Sequence, residues 1–92
     1  MATDRRLLLL RALAEAAGYE MHIGALHLVL EYKGHHVSRD LVQTDLAWLQ
    51  EQNLVQLRDI AKVQIATLTQ RGLDVSAGRA TVPGVRRPGL DD

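Results

Sequence analysis

The middle of the chain contains a capped helical segment that runs directly into two short alternating segments. Ser38 precedes the string RDLVQTDLAWLQEQ, whose apolar residues recur at helical spacing and predict a helix from Arg39 to about Gln52. Asn53 follows as a residue that tolerates the left-handed conformation at a helix end. Alternating apolar residues then predict two strands, Leu54 to Arg58 and Lys62 to Leu68, joined by a short link as a β-hairpin. Few small folds place a β-hairpin directly after such a helix.

Helical spacing also predicts elements on both sides of this middle segment. It predicts a first helix from Thr3 to Ala17, a second from about Met21 to Lys33, and a last one, capped by Thr69, that ends near Ala77. The order helix, helix, turn, helix, hairpin, helix predicts a mainly α winged helix-turn-helix. From Arg79 the string RATVPGVRRPGLDD holds both prolines and predicts an extended or flexible tail outside the core. We therefore expect a winged helix-turn-helix domain over residues 1–78 and a C-terminal tail over residues 79–92.

Composition narrows the class of protein. The chain has 92 residues, 47% of them hydrophobic, which is enough for one small core. Lys plus Arg and Asp plus Glu both number 11, so the formal charge is zero, whereas a dedicated DNA-binding domain is usually basic. No apolar run approaches the roughly 18 to 20 residues of a membrane span, and Arg11 and Glu15 interrupt the N-terminal leucine run. With no cysteine either, we expect a soluble cytoplasmic protein that does not associate with membranes.

Three strings of this sequence carry a family resemblance. SRDLVQTDLAWLQEQNLV, IATLTQRGLDVSAGRA and VPGVRRP resemble a family of small winged-helix proteins of Mu-like phages and prophages, often described as arsenic-repressor-like regulators. The similarity runs from about residue 4 to residue 88. It implies a winged-helix fold and, as a function, a DNA-binding transcriptional regulator of phage or prophage origin. The chain has none of the cysteines by which arsenic-class repressors bind their effector, so metal sensing is not supported.

Two positions that lack an apolar side chain are expected to be buried. On a helical wheel, Asp45 falls in the middle of the apolar side of the third helix. A carboxylate near a core must find a cation or amide donors, and Arg6, Arg11 and Arg71 are the candidate partners. Gly72, at the start of the last helix, is interpreted as a position of close packing.

Residues on the solvent side of the third helix are of types that contact DNA. Near the end that would enter a major groove, Arg39 can contact guanine or phosphate, Gln43 adenine, and Thr44 a phosphate or a thymine methyl. In the wing, Arg58 and Lys62 would hold backbone phosphates. These five residues are the predicted DNA-binding set.

A homodimer is expected, because one small recognition helix buries too little surface for tight specificity. The apolar face of the first helix is wide, so this helix is either packed on two sides or in contact with a partner. A dimer contact is predicted through Leu9 and Ala16, which Leu8 could join. The alternative function is a protein-interaction module that docks another phage or host protein in DNA packaging or morphogenesis, without sequence-specific DNA binding. A continuous basic surface around Arg39 and Arg58 would favour DNA, and a neutral or acidic one would favour protein.

No motif predicts catalysis or a bound cofactor. The sequence has no nucleophile with a nearby base and no glycine-rich phosphate loop. The four histidines, His22, His27, His35 and His36, lack cysteine partners and metal-ligand spacing, so we interpret them as turn and surface residues. We therefore expect neither an enzyme nor a metal or cofactor site.

Overall fold

The computed structural model describes residues 1–89 and confirms the winged-helix fold. Four helices and three strands follow one another in the chain, with a single 3-10 turn, Ala17–Tyr19, after the first helix. Their bounds are α1 Ala2–Glu15, β1 Glu20–His22, α2 Ile23–Tyr32, α3 Arg39–Glu51, β2 Val55–Ile60, β3 Val63–Leu68 and α4 Gln70–Ser76. The helix-turn-helix is α2 and α3, and the wing is the hairpin of β2 and β3.

Side-chain caps fix the starts of α3 and α4, and a left-handed residue marks the end of α3, as the sequence predicts. The Ser38 hydroxyl accepts a hydrogen bond from the Leu41 amide at 3.1 Å, and the Thr69 hydroxyl accepts one from the Gly72 amide at 3.0 Å. Asn53 has a φ of 62°, the left-handed conformation that ends α3. These local bonds set where the recognition helix begins and where the chain turns into the wing.

The sheet has a third strand, which the sequence analysis missed. The strand order is β1-β3-β2, and β1 pairs antiparallel to β3 with Glu20 opposite Thr67 and His22 opposite Ile65. The predicted start of α2 at Met21 is therefore wrong, because Met21 belongs to β1 and the helix begins at Ile23. A strand of three residues is too short for the alternation of side chains to be recognised.

The wing turns at a two-residue loop. Ile60 pairs with Val63, and the loop residues Ala61 and Lys62 have φ values of 50° and 68°, as a tight hairpin turn requires. Strand β2 is therefore longer than predicted, and Lys62 lies in the turn instead of in the second strand. Because side chains alternate across a sheet, Leu57 and Asp59 share the core-facing side with their partners Ala66 and Gln64.

The core consists mainly of leucines from the helices. In α1, Leu7, Leu9, Leu10 and Leu13 have no exposed surface, because this helix packs against α2, α3, α4 and β3. The apolar face of α1 is wide because it is covered on several sides. Within residues 1–89 every helix is too short or too polar to cross a bilayer.

The C-terminal segment packs against the core, so the prediction of a tail outside the core is wrong for the described residues. Val82 and Val85 are buried members of the core cluster. The Arg86 amide donates to the Thr3 carbonyl at 3.2 Å, and its guanidinium lies 2.8 Å from the Asp4 carboxylate. The predicted tail thus packs on the first turn of α1. The part of the prediction that concerns residues 90–92 lies outside the described residues.

Candidate nucleic-acid interface

Three elements that are distant in the sequence enclose an open groove of about 600 Å³. One wall is the junction of β1 with α2, the second is the N-terminal end of α3, and the third is the wing. The lining residues are His22, Ile23, Gly24, Arg39, Gln43, Asp59, Lys62, Val63 and Gln64.

Arg39 and Gln43 form the α3 wall of the groove. They are one helical turn apart and face the same side, because residues at i and i+4 are neighbours on a helix surface. The Arg39 side chain crosses to the start of α2, where a Cβ on Gly24 would lie 3.1 Å from its Nη2. Within residues 1–89 the Arg39 guanidinium has neither an ion pair nor a hydrogen bond. A guanidinium with free donors in an open groove is available to bind an anion or a base edge.

Lys62 brings a second positive charge to this groove from the tip of the wing. Its ammonium also lacks an ion-pair partner in the described part of the chain. Asp59, on the core-facing side of the wing, places one carboxylate in the same groove. With histidines neutral, the groove is weakly basic, since two cations face one acid.

Two of the predicted DNA-binding residues do not line this groove. Arg58 lies on the outer face of the sheet, where its Nη2 donates to the Glu20 carboxylate at 2.8 Å. Thr44 lies on the exposed side of α3, and its hydroxyl donates to the Asp40 carbonyl at 3.2 Å. The structure thus brings Arg39, Gln43 and Lys62 together, and it places Arg58 in a neutral pair on the opposite face.

Six of the nine residues that line the groove were not among the predicted site residues. His22, Gly24 and Gln64 are among these six, and the Oε1 atom of Gln64 is buried without a hydrogen-bond partner in residues 1–89. His22 and Gly24 were missed because β1 was not recognised, so the start of α2 was placed too early. The register of the hairpin puts Gln64 opposite Asp59, so a correct register would have placed Gln64 on the groove side of the wing.

On the inner side of α3, Asp45 is buried as predicted, with its side chain 2% exposed. Its Oδ2 accepts from Arg5 Nε at 2.8 Å, and its Oδ1 lies 3.7 Å from Arg6 Nε. Arg6 was among the predicted partners and Arg5 was not. The prediction of Arg71 as a partner of Asp45 is wrong, because Arg71 donates to the Gln52 carbonyl at 2.6 Å. The two arginines of α1 thereby anchor the inner side of α3.

Arg6 also connects α3 to the C-terminal segment. Its guanidinium lies 3.9 Å from the centre of the Trp48 ring and donates to the Gly84 carbonyl at 3.0 Å. Gly84, with a φ of 101°, lies so close to the same ring that a Cβ there would be 2.6 Å from Trp48 Cζ2. Residues of both termini therefore hold the recognition helix from behind the groove.

The predicted dimer contact does not form one surface. Leu9 has no exposed area and belongs to the core, which removes it from any contact with a second copy. Leu8 is half-buried and lines a shallow depression between α1 and α2. The other residues of its lining are Ala12 and Val29 and the charged residues Arg11, Glu15, Lys33 and Arg86. Ala16 is the C-terminal cap of α1 and does not line that depression.

No group of three or more potential metal ligands comes together within residues 1–89. His27 lies within the helix-turn-helix, where its Nε2 is 2.7 Å from the Val37 carbonyl, so it joins α2 to the turn before α3.

Comparison with known proteins finds relatives of similar sequence and solved structures of similar fold. The chain is 43% identical over 88 residues to the uncharacterized protein gp26 of Escherichia phage Mu, covering 96% of this chain and 91% of gp26. It is 40% identical over 86 residues to an uncharacterized protein of Haemophilus influenzae, covering 87% and 83% of the two chains. The crystal structure of NolR from Sinorhizobium fredii superposes with a TM-score of 0.62 at 26% identity, over 94% of this chain and 79% of NolR. No family model matches the sequence.

Proposed function

The chain belongs to the family of the phage Mu protein gp26, and from this membership and its winged-helix fold we propose that it is a DNA-binding transcriptional regulator of phage or prophage origin. The observation that carries the proposal is the groove. Arg39 and Lys62 come from α3 and from the wing, face the same opening, and have no ion-pair partner in residues 1–89. Winged-helix proteins most often use these two elements for DNA, which is an analogy from fold.

The proposed binding mode places the N-terminal end of α3 in a major groove. Gln43 would present its amide to the edge of an adenine, the pairing that its donor and acceptor allow. Lys62 would contact a backbone phosphate beside that site, and each such contact releases counterions from the DNA. Asp59 opposes phosphate in the same groove, so affinity for arbitrary DNA is kept low.

The direct test is a titration of labelled DNA duplexes, drawn from phage DNA, with the protein at several salt concentrations. We expect Arg39→Ala and Lys62→Ala each to weaken binding by about tenfold, as loss of one charged contact does. Each should also make the negative slope of log affinity against log salt shallower by about 0.9. Arg58→Ala is the matched control, since this arginine pairs with Glu20 on the other face of the sheet.

Two results would contradict the proposal. The first is absence of DNA binding even at low salt. The second is an equal loss for Arg58→Ala, which would move the contact to the outer face of the sheet. Control by the protein of a promoter in its own phage or prophage, measured with a reporter gene, tests the regulatory role separately.

A homodimer is part of the proposal. The molecule measures 38 × 27 × 23 Å, which is comparable to the roughly 34–36 Å between half-sites one helical turn apart on DNA. The contact we propose is the depression between α1 and α2 around Leu8. Beside it on α2, Leu28 and Tyr32 are one turn apart and exposed by 65% and 88%.

The second candidate function is a protein-interaction module in phage DNA packaging or morphogenesis, without sequence-specific DNA binding. The observation that favours it is the weak positive charge of this surface. Glu20 neutralises Arg58, and the carboxylate of Asp59 reduces the basic character of the groove. The substitution Asp59→Asn separates the two functions. It should strengthen binding if the groove takes DNA, and it should weaken binding if the groove takes a basic segment of a phage or host protein.

A further inference from the structure

His22 and Arg39 lie on either side of Gly24, at the end of the groove where α2 begins. A Cβ on Gly24 would lie 3.2 Å from His22 Nδ1 and 3.1 Å from Arg39 Nη2. The imidazole, through Nδ1 and Cε1, and the guanidinium therefore lie against the same point of the α2 backbone and are neighbours at this end of the groove. Glycine lets both side chains lie this close to the helix, because a Cβ at this position would crowd them both.

A backbone hydrogen bond determines which nitrogen of His22 carries a proton. His22 is the N-cap of α2, and its Nδ1 accepts from the Ala25 amide at 3.1 Å. A neutral imidazole that accepts at Nδ1 carries its hydrogen on Nε2. Nε2 has no acceptor within residues 1–89, and His22 lines the groove. The cap thus fixes the ring and leaves one N–H donor for a ligand.

We propose that His22 and Arg39 together bind one backbone phosphate of DNA, so that base recognition falls to Gln43. This inference rests on the proposed function. It assigns phosphate binding to Arg39 and base recognition to Gln43, the two residues of the α3 wall. A phosphate offers several acceptor oxygens, whereas His22 Nε2 and the Arg39 guanidinium offer only donors. The guanidinium is drawn back from α3 to the first turn of α2, where an anion would also meet the positive end of the helix dipole.

The test uses a variant of His22 that keeps the cap and removes the donor. Asparagine is a good N-cap, so His22→Asn should leave the melting temperature nearly unchanged and lose only the Nε2 hydrogen bond. We expect it to weaken DNA binding by about threefold to tenfold, the worth of one hydrogen bond, by the same factor for a selected duplex and a scrambled one. Arg39→Ala should behave in the same way, with a smaller salt slope, whereas Gln43→Ala should lose affinity only for the selected duplex.

Duplexes with single methylphosphonate linkages locate the phosphate. In the wild-type protein, one neutral linkage on the strand beside the groove should weaken binding. The same linkage should have a smaller effect on His22→Asn and on Arg39→Ala than on the wild type, because residues that share one ligand are not additive.

Two outcomes would overturn the inference while leaving DNA binding intact. One is that Arg39→Ala weakens only the selected duplex, which would make Arg39 a base-reading residue. The other is that His22→Asn binds all duplexes as the wild type does. Absence of DNA binding by the wild-type protein is a different result, and it would overturn the proposed function itself.

Discussion

Asp45 shows how a charged residue can be used to hold a recognition helix in place. It lies on the inner side of α3 with Arg5 and Arg6 against it, and all three side chains are mostly buried. Such a pair stabilises little compared with apolar packing, but removing one partner leaves buried charge uncompensated. The pair therefore fixes how α1 lies against α3.

We expect Asp45→Asn to destabilise the protein strongly. The change leaves two arginines without their anion, a loss of about 3–5 kcal/mol for broken buried pairs. In a domain of this size, each kcal/mol shifts the melting temperature by about 4–8 °C. Thermal unfolding followed by circular dichroism measures the shift, and Glu51→Gln, at the exposed end of the same helix, is the control. An unchanged melting temperature in Asp45→Asn would contradict the role of this pair.

The inward position of Asp45 was predictable, but its nearest partner was not. The helical wheel of α3 fixes which side Asp45 occupies, because it depends only on the spacing along one helix. The choice between Arg5 and Arg6 depends on how α1 is rotated and crosses α3, which is set by packing of the whole core. The same reason explains Leu9: the wide apolar face of α1 allowed either packing on two sides or contact with a partner, and only the packing of the core decides for the first.

Among the elements, the recognition helix and the hairpin were the most predictable, since their caps and alternation are local signals. Strand β1 has no local signal, because three residues form a strand only where β3 offers a partner. Because β1 was not predicted, the end of the groove formed by His22 and Gly24 was not predicted either. The α3 wall of the candidate site was therefore predictable, whereas the wall from β1 and α2 depended on a non-local pairing.

Helix α4 approaches the end of α3 so closely that only glycine fits at Gly72. A Cβ there would collide with the Leu54 carbonyl and lie 2.6 Å from Leu68 Cδ1. The Thr69 amide donates to the same carbonyl at 3.1 Å, and the Thr69 hydroxyl donates to the preceding carbonyl, of Asn53, at 2.7 Å, which holds the backbone in place. The close-packing interpretation of Gly72 is confirmed.

Gly72→Ala should therefore destabilise the fold, although alanine is a better helix former than glycine by about 1 kcal/mol. Overpacking of this kind costs about 1–3 kcal/mol, and the backbone carbonyl of Leu54 cannot move aside as a side chain would. Urea denaturation measures the change, with Gln70→Ala on the exposed side of the same helix as the control. A more stable Gly72→Ala variant would show that α4 can shift away from Leu54.

At the scale of the whole molecule, a net charge of zero conceals an uneven distribution. Arginines such as Arg5, Arg58 and Arg79 are paired with carboxylates, so their charge is locally cancelled. Arg39 and Lys62 lack such partners within the described residues, and both line the groove. Composition therefore underestimated the local positive charge, because it counts residues without regard to pairing.

The proposed dimer gives a prediction at the same scale. If the depression around Leu8 meets a second copy, Leu8→Glu should shift the protein toward monomer by burying a charge in the contact. Analytical ultracentrifugation over a range of protein concentrations measures the shift, with circular dichroism to check the fold. Ile60→Glu, at an exposed apolar position on the wing, is the control. A wild-type monomer at the concentrations where DNA binds would contradict the dimer.

The contact between Trp48 and the C-terminal segment makes the chain its own optical probe. Trp48 is the one tryptophan in the sequence, and its ring lies against both the Arg6 guanidinium and the Gly84 backbone. Its emission wavelength depends on how much water reaches the indole, so the spectrum reports whether residues around Gly84 remain docked. Recording that spectrum during a titration separates ligand binding at the groove from release of the C-terminal segment, without a label on either.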